Sequence, residues 1–376
     1  MENLQINRMN ILQITPHFRP NIGGVETHIN DLVSALVARN NNVFVLTYQP
    51  LQTKSSWRLF ERTQNEKILR IPWLPGLFYK LVNKPILEFL YLVPGIFLVA
   101  PFVIFLEEPK IIHAHGLIAG VVAVVWGKIF GIRTVISTHN IYSFPQSGLY
   151  RRFVNFIFNN VDHVLCLSSQ SADEIKDIVK DKSKVSIFTS WVNLEKFHPI
   201  NKLESRKKLG WNNEFTILFV GRLVPEKGIP ELLSAAKLLK KGISLKIAGS
   251  GPLESSVKKY YLGKISQDDL PTYYSAADVV IVPSTHDEGF GRVILESLAC
   301  GIPVIGSNRG GIPQVMDNTM GVLINVTPFN IKNSVEHFFD NPDKLKKLGR
   351  NARMFAEKRY SSKNIIAILS SYSNTE

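Results

Sequence analysis

A chain of 376 residues with a formal net charge of +13 and two cysteines is long enough for two domains, each with its own core. Cys166 and Cys300 lie in apolar stretches, a usage that argues against a disulfide framework and a cysteine metal knuckle and favours a reducing compartment. The basic balance calls for anionic partners, and since no nucleic-acid module accompanies it, membrane surface and anionic substrates remain.

The start, residues 1–8, lacks the apolar core of a signal peptide, so a cytoplasmic protein is expected. Residues 10–15 read as a short apolar strand, and a loop holding Gly23 and Gly24 leads to a helix through about residue 38, with Ile29, Leu32, Val33 and Leu36 on one face. The two glycines permit close approach of a ligand, although their spacing is not the dinucleotide fingerprint. Residues 42–47 and 67–72 supply further strands. Arg58, Arg62, Lys67, Arg70, Lys80 and Lys84 are interleaved there with Trp57, Phe60, Trp73, Phe78 and Tyr79, a pattern suited to an anionic membrane surface.

Residues 85–106 are almost wholly apolar, with Glu88 the sole charge, and match the ~20 residues needed to cross a bilayer. Pro94, Gly95 and Pro101 interrupt the run, and a crossing would separate strands of one sheet, so a buried or interfacial helical hairpin is expected. Residues 110–115 form a strand whose His113 and His115 point to the same face, in structural or hydrogen-bonding roles rather than as a metal pair. A helix over 117–130 and a strand over 134–138 follow. His139, at that strand's carboxyl end beside Asn140, stands where open parallel sheets bind ligands.

Segments at 153–159, 164–167, 172–179 and 185–188 complete a first domain ending near 195, and 194–213 is a charged linker with a short helix. A second sheet opens at 215–220 and runs into Gly-Arg-Leu-Val-Pro-Glu-Lys-Gly at 221–228, where Arg222 offers a bidentate fork and Lys227 a compact ammonium. Residues 244–248 form a strand, and 253–267 is compressed. Residues 278–282 are a buried strand, 284–288 a loop, and about 290–299 a helix. The amides of Gly289, Phe290 and Gly291 can face an anion such as a phosphate. Glu288 and Glu296 are separated by up to roughly 12 Å at helical rise, about a nucleotide sugar's reach. Strands at 304–306 and 321–325, helices at 331–339 and 343–360, and a tail crossing back from 361 finish the chain.

The Glu288 to Glu296 spacing resembles the Glu, seven residues, Glu signature of a large family of retaining glycosyltransferases built from two Rossmann-like domains, the GT-B fold. Gly-Gly-Val-Glu-Thr-His at 23–28, His-Ala-His at 113–115, the 221–228 loop, Ala-Gly-Ser-Gly-Pro at 248–252 and Gly-Gly-Ile-Pro at 310–313 match in the same order. The chain departs from the pattern at 189–193, where a glycine turn is missing, and at Gln314, where an acid is common.

The resemblance implies α/β architecture with two parallel sheets facing across a cleft: residues 1–195 on the acceptor side, 196–360 binding a nucleotide-diphosphate sugar, and 361–376 as tail. It implies that Arg222 and Lys227 bind the diphosphate, that Gly23 and Gly24 face its phosphate and sugar, that His139 meets the sugar, that Glu288 orients it and that Glu296 holds ribose. Retention at the anomeric carbon is implied too. The chain has no Asp-any-Asp triplet, so neither metal nor other cofactor is expected. A glycan or lipid-linked acceptor at the cytoplasmic membrane face fits the apolar run. A nucleotide-sugar epimerase of the same build and a non-catalytic donor-binding subunit of a membrane complex are the alternatives.

Overall fold

The computed structural model describes residues 8–21, 23–51, 55–74, 77–81, 84–139 and 144–373, without the side chains of Tyr79, Lys80 and Pro85. The expectations for the chain's start and for Asn140 lie outside the described residues. Two compact units divide the chain: 1–189 with 364–376, and 190–363.

The first unit is built on β1 (Asn10–Ile14), β2 (Asn42–Tyr48), β3 (Phe60–Arg62), β4 (Glu66–Ile71), β5 (Ile111–His115), β6 (Arg133–Thr138), β7 (His163–Cys166) and β8 (Val185–Ile187). They join in the order β3-β4-β2-β1-β5-β6-β7-β8, parallel except for β3 against β4. The central strands β1, β5 and β6 are buried on both faces, as parallel strands between helices are, but one face alternates in polar side chains: Gln13, His113, His115 and Ser137. β3 is absent from the sequence reading because its three residues, mostly exposed, show no apolar period.

Pro85–Glu107 is one continuous helix, not a hairpin. Pro101 removes the amide that would serve the Phe97 carbonyl, and the Trp126 indole donates to that carbonyl instead at 2.9 Å. Nearer Pro94, the Tyr48 hydroxyl enters the ladder, donating to Leu92 O at 2.6 Å and accepting from Ile96 N at 3.1 Å. Pro101 is thus tolerated because the next helix re-satisfies the carbonyl it strands, and two residues past Pro94 the Tyr48 hydroxyl from the sheet bridges the Leu92 carbonyl and the Ile96 amide. Leu92, Ile96, Ala100 and Val103 are buried against the unit, while Leu90, Leu98, Phe102, Phe105 and Leu106 are exposed.

The basic, aromatic stretch before this helix is only partly a surface. Arg70 is buried, paired with Glu61 at 2.7 Å and donating to two carbonyls, and Lys67 pairs with Glu107 at 2.7 Å. Arg58, Arg62 and Lys84 are exposed.

The second unit holds β9 (Phe215–Arg222), β10 (Ile243–Ser250), β11 (Tyr261–Gly263), β12 (Val279–Val282), β13 (Val304–Ser307) and β14 (Gly321–Ile324), all parallel in the order β11-β10-β9-β12-β13-β14. Val279, Val280 and Ile281 of β12 are wholly buried, each contributing about 1.5–3 kcal/mol by leaving water. The compressed 253–267 segment folds as a helical turn, Glu254–Val257, followed by the edge strand β11.

Candidate active site

In the second unit, β9 and β12 are neighbours, and their carboxyl ends deliver the two loops that sequence reading singled out. The loops are stitched at one carbonyl. Glu226 O accepts from Thr285 N at 2.9 Å and lies 2.9 Å from His286 Nδ1. Gly228 makes the approach possible: its φ is +73°, and an added Cβ would fall 1.9 Å from Pro283 O. From the other side, Gly311 donates to Glu288 O at 2.7 Å, and a Cβ there would meet Gly289 O at 2.1 Å. The Gly-Gly-Ile-Pro turn is therefore the floor of the 287–289 loop.

Lys227 Nζ lies 2.8 Å from Glu288 Oε1, and the Ser284 hydroxyl donates to the same oxygen. Burial pulls the Glu288 carboxyl upward, but the Lys227 ammonium, the Ser284 hydroxyl and nearby His286 together outweigh it and hold the group below the usual glutamate range. Glu288 is thus an anion held ready to accept hydrogen bonds. The Arg222 guanidinium, exposed at the end of β9, is paired with no described carboxylate. Among the described residues no acceptor meets the amides of Gly289, Phe290 and Gly291, which precede the helix Arg292–Ala299. Two cationic side chains, one of them paired with Glu288, and three amides without a described acceptor thus lie on one edge of this sheet, a set of donors that can meet an anion.

Glu296 lies elsewhere on that helix and is enclosed, 2% exposed. Tyr274 donates to its Oε2 at 2.8 Å, and Arg292 Nε stands 3.2 Å from its Oε1. Burial and the adjacent Glu296 keep the Tyr274 hydroxyl protonated, as a donor. Arg292 also reaches the Trp191 carbonyl at 3.3 Å, so the 189–193 segment that departs from the family pattern supports this carboxylate. Neither Tyr274 nor Arg292 was singled out by sequence. The i,i+4 spacing of Arg292 and Glu296 was the available signal.

In the first unit, Gly23 is extended, at φ −175°, just before the helix Gly24–Val37, and a Cβ on it would fall 2.2 Å from Glu26 Oε2. His28 on this helix faces His139, with ring centroids 5.5 Å apart. His139 Nε2 lies 3.0 Å from His115 Nδ1, and burial pushes its pKa down to about 4. His113 and His115 use both ring nitrogens in hydrogen bonds. Among the described residues no group of three or more histidine, cysteine or acidic side chains is placed to hold a metal. Cys166 and Cys300 are free and buried, and burial raises both thiols, Cys166 to about 11.

Residues 22–196 match Glycosyltransferase Family 4 and residues 201–355 match Glycosyl transferases group 1. The chain is 24% identical over 346 residues to the GPI3 subunit of phosphatidylinositol N-acetylglucosaminyltransferase from Saccharomyces cerevisiae, covering 85% of this chain and 72% of the relative. Sucrose-phosphate synthase from Thermosynechococcus elongatus superposes with a TM-score of 0.80 at 23% identity, over 96% of this chain and 98% of the other. HepE of Anabaena, solved with UDP-glucose, gives 0.76 at 21% identity, over 97% and 100%. With the matched families, the paired parallel-sheet units and these structural neighbours, the chain belongs to the group 1 glycosyltransferases and has the GT-B fold.

Proposed function

We propose that this protein is a retaining, metal-independent hexosyltransferase that moves a hexosyl group from a nucleotide-diphosphate sugar to a glycan or lipid-linked acceptor. The observation that carries the reading is one sheet edge at which Arg222 ends β9, Lys227 pairs with an ionised Glu288, and the amides of 289–291 meet no described acceptor. Such fixed donors neutralise a leaving diphosphate without a bridging cation. That a solved neighbour holds UDP-glucose supports a nucleotide-sugar donor.

The bond between the anomeric carbon and the phosphate oxygen breaks, its electron pair leaving with the diphosphate. The acceptor hydroxyl attacks the same face and passes its proton to the departing phosphate oxygen. Lys227 and Arg222 hold the negative charge that develops, and Glu288 accepts from sugar hydroxyls. Gly23 and Gly24 let the chain approach the donor, His139 contacts the sugar, and Glu296 serves the ribose by exchanging Arg292 for its hydroxyls.

The exposed row Leu98, Phe102, Phe105 and Leu106, beside exposed Ile129 and Phe130, supports a peripheral seat in an anionic cytoplasmic leaflet. The buried opposite face of the same helix favours a sidelong position over a crossing.

Incubation with UDP-, GDP- and ADP-sugars, polyprenyl-phosphate acceptors and a chelator tests this reading. A transferred sugar with retained anomeric configuration and no loss on chelation is expected. Inversion, metal dependence or sugar epimerisation without an acceptor overturns it.

A further inference from the structure

A buried polar layer lies on one face of the first sheet. Gln13, His113, His115 and Ser137 occupy adjacent, in-register positions of β1, β5 and β6, and all four are buried. The helix Ile365–Tyr372 brings Tyr372, also buried, onto it.

The hydrogen bonds form one unbroken chain. His139 Nε2 is 3.0 Å from His115 Nδ1, and His115 Nε2 is 2.8 Å from Gln13 Oε1. Gln13 Nε2 donates to the Tyr372 hydroxyl at 3.3 Å. That hydroxyl is 2.7 Å from His113 Nδ1, and His113 Nε2 is 2.7 Å from Ser137 Oγ. Burial lowers the pKa of His139 to about 4 and of His113 to about 3, and holds His115 well below its ordinary value, so at neutral pH each ring carries one proton.

With neutral rings, one side chain sets every donor. An amide oxygen only accepts, so His115 must carry its proton on Nε2. His115 Nδ1 is then an acceptor, which requires the proton of His139 on Nε2. On the other arm the amide nitrogen donates to Tyr372, whose own proton goes to His113 Nδ1, and His113 Nε2–H goes to Ser137. Reversing the Gln13 amide would reverse each link and move the His139 proton to Nδ1.

We infer that Gln13, anchored by Tyr372 of the C-terminal helix, is a positioning residue that fixes the tautomer of His139 and leaves its Nδ1 as a bare acceptor for a sugar hydroxyl. Its functional half rests on the reading of His139 as a donor-sugar contact; its tautomeric half does not.

Long-range proton–nitrogen spectra of the full chain, labelled with nitrogen-15 at histidine, test it in wild type, Gln13→Leu, Gln13→Glu and Tyr372→Phe. The wild type is expected to show His139 protonated at Nε2. Gln13→Glu retains an acceptor facing His115 and keeps that tautomer, whereas Gln13→Leu yields a mixture, as Tyr372→Phe does by unpinning the amide. A wild-type His139 protonated at Nδ1, or an unchanged tautomer in folded Gln13→Leu, overturns the inference. If Gln13→Leu does not fold, the wild-type and Gln13→Glu spectra decide. In donor titrations, KM for the nucleotide sugar should rise roughly tenfold in Gln13→Leu with kcat little changed, and Gln13→Glu should recover it. A tautomer shift without any change in KM removes His139 from the sugar site but leaves the hydrogen-bond chain as described.

Discussion

Replacing Lys227 with methionine leaves Glu288 enclosed with one hydroxyl donor and no cation. The pair is 2.8 Å apart, with the lysine and glutamate side chains 18% and 11% exposed. Removing one partner of a fully buried pair costs about 3–5 kcal/mol; the residual exposure here and the Ser284 hydroxyl reduce the expected cost to about 2 kcal/mol. The sign of the pH dependence follows. In the wild type Glu288 titrates below its ordinary value, so its contribution to stability is present above that value and lost as pH falls through the folded one. In the variant burial is no longer outweighed, the folded pKa rises, and stability is lost as pH rises through it. The deficit relative to wild type should therefore be largest near pH 7 and shrink toward about pH 4.3, the ordinary glutamate value. Urea unfolding followed by hydrogen exchange in the second unit measures it, since one midpoint does not describe a two-unit chain. Adding Glu288→Gln should recover most of the loss by removing the stranded charge. An equal deficit at both pH values, or none, would refute the assignment of this pair as a buried charge held by its partner.

Other consequences can be checked separately. Trp126→Phe strands the Phe97 carbonyl left by Pro101 and should cost about 1–3 kcal/mol, read as a lower melting temperature of the first unit; no change would mean water replaces the indole. Gly311→Ala places a Cβ 2.1 Å from the Gly289 carbonyl, so the 287–289 loop must move; the variant should both melt lower and bind donor roughly tenfold or more weakly by calorimetry, and unchanged binding would contradict the loop's role. Phe102→Asp with Phe105→Asp should abolish flotation with anionic liposomes and leave the thermal melt intact, because both side chains are exposed.

Much of the fold was legible because parallel sheets write themselves locally: β12 is a short apolar run, and the helix after it repeats its buried positions at Ile294, Leu295 and Leu298. The loops at 221–228, 284–291 and 310–313 were found as separate pieces, and the structure brings them to one edge of the second sheet through the Glu226 carbonyl and the Gly311 amide. Partners distant in sequence were not legible. Nothing near His113 announces Tyr372, and nothing near Glu296 announces Tyr274. Proline statistics read 85–106 as broken, since the side chains that bond within the continuous helix, Tyr48 and Trp126, come from other elements. Glu296 was readable as an acid at helical spacing but not as an enclosed one, because burial belongs to the packing and not to the period.

The central claim, that cationic side chains and amides of the second unit grip a diphosphate, is tested most directly by calorimetric titration of UDP-, GDP- and ADP-sugars into wild type and Arg222→Ala. Arg222 is exposed and pairs with no described carboxylate, so its removal should leave the fold intact. Losing one charge-assisted contact, worth about 1.5–3 kcal/mol, should weaken the preferred donor by roughly ten- to a hundredfold. Undiminished affinity in a folded Arg222→Ala protein would contradict the account.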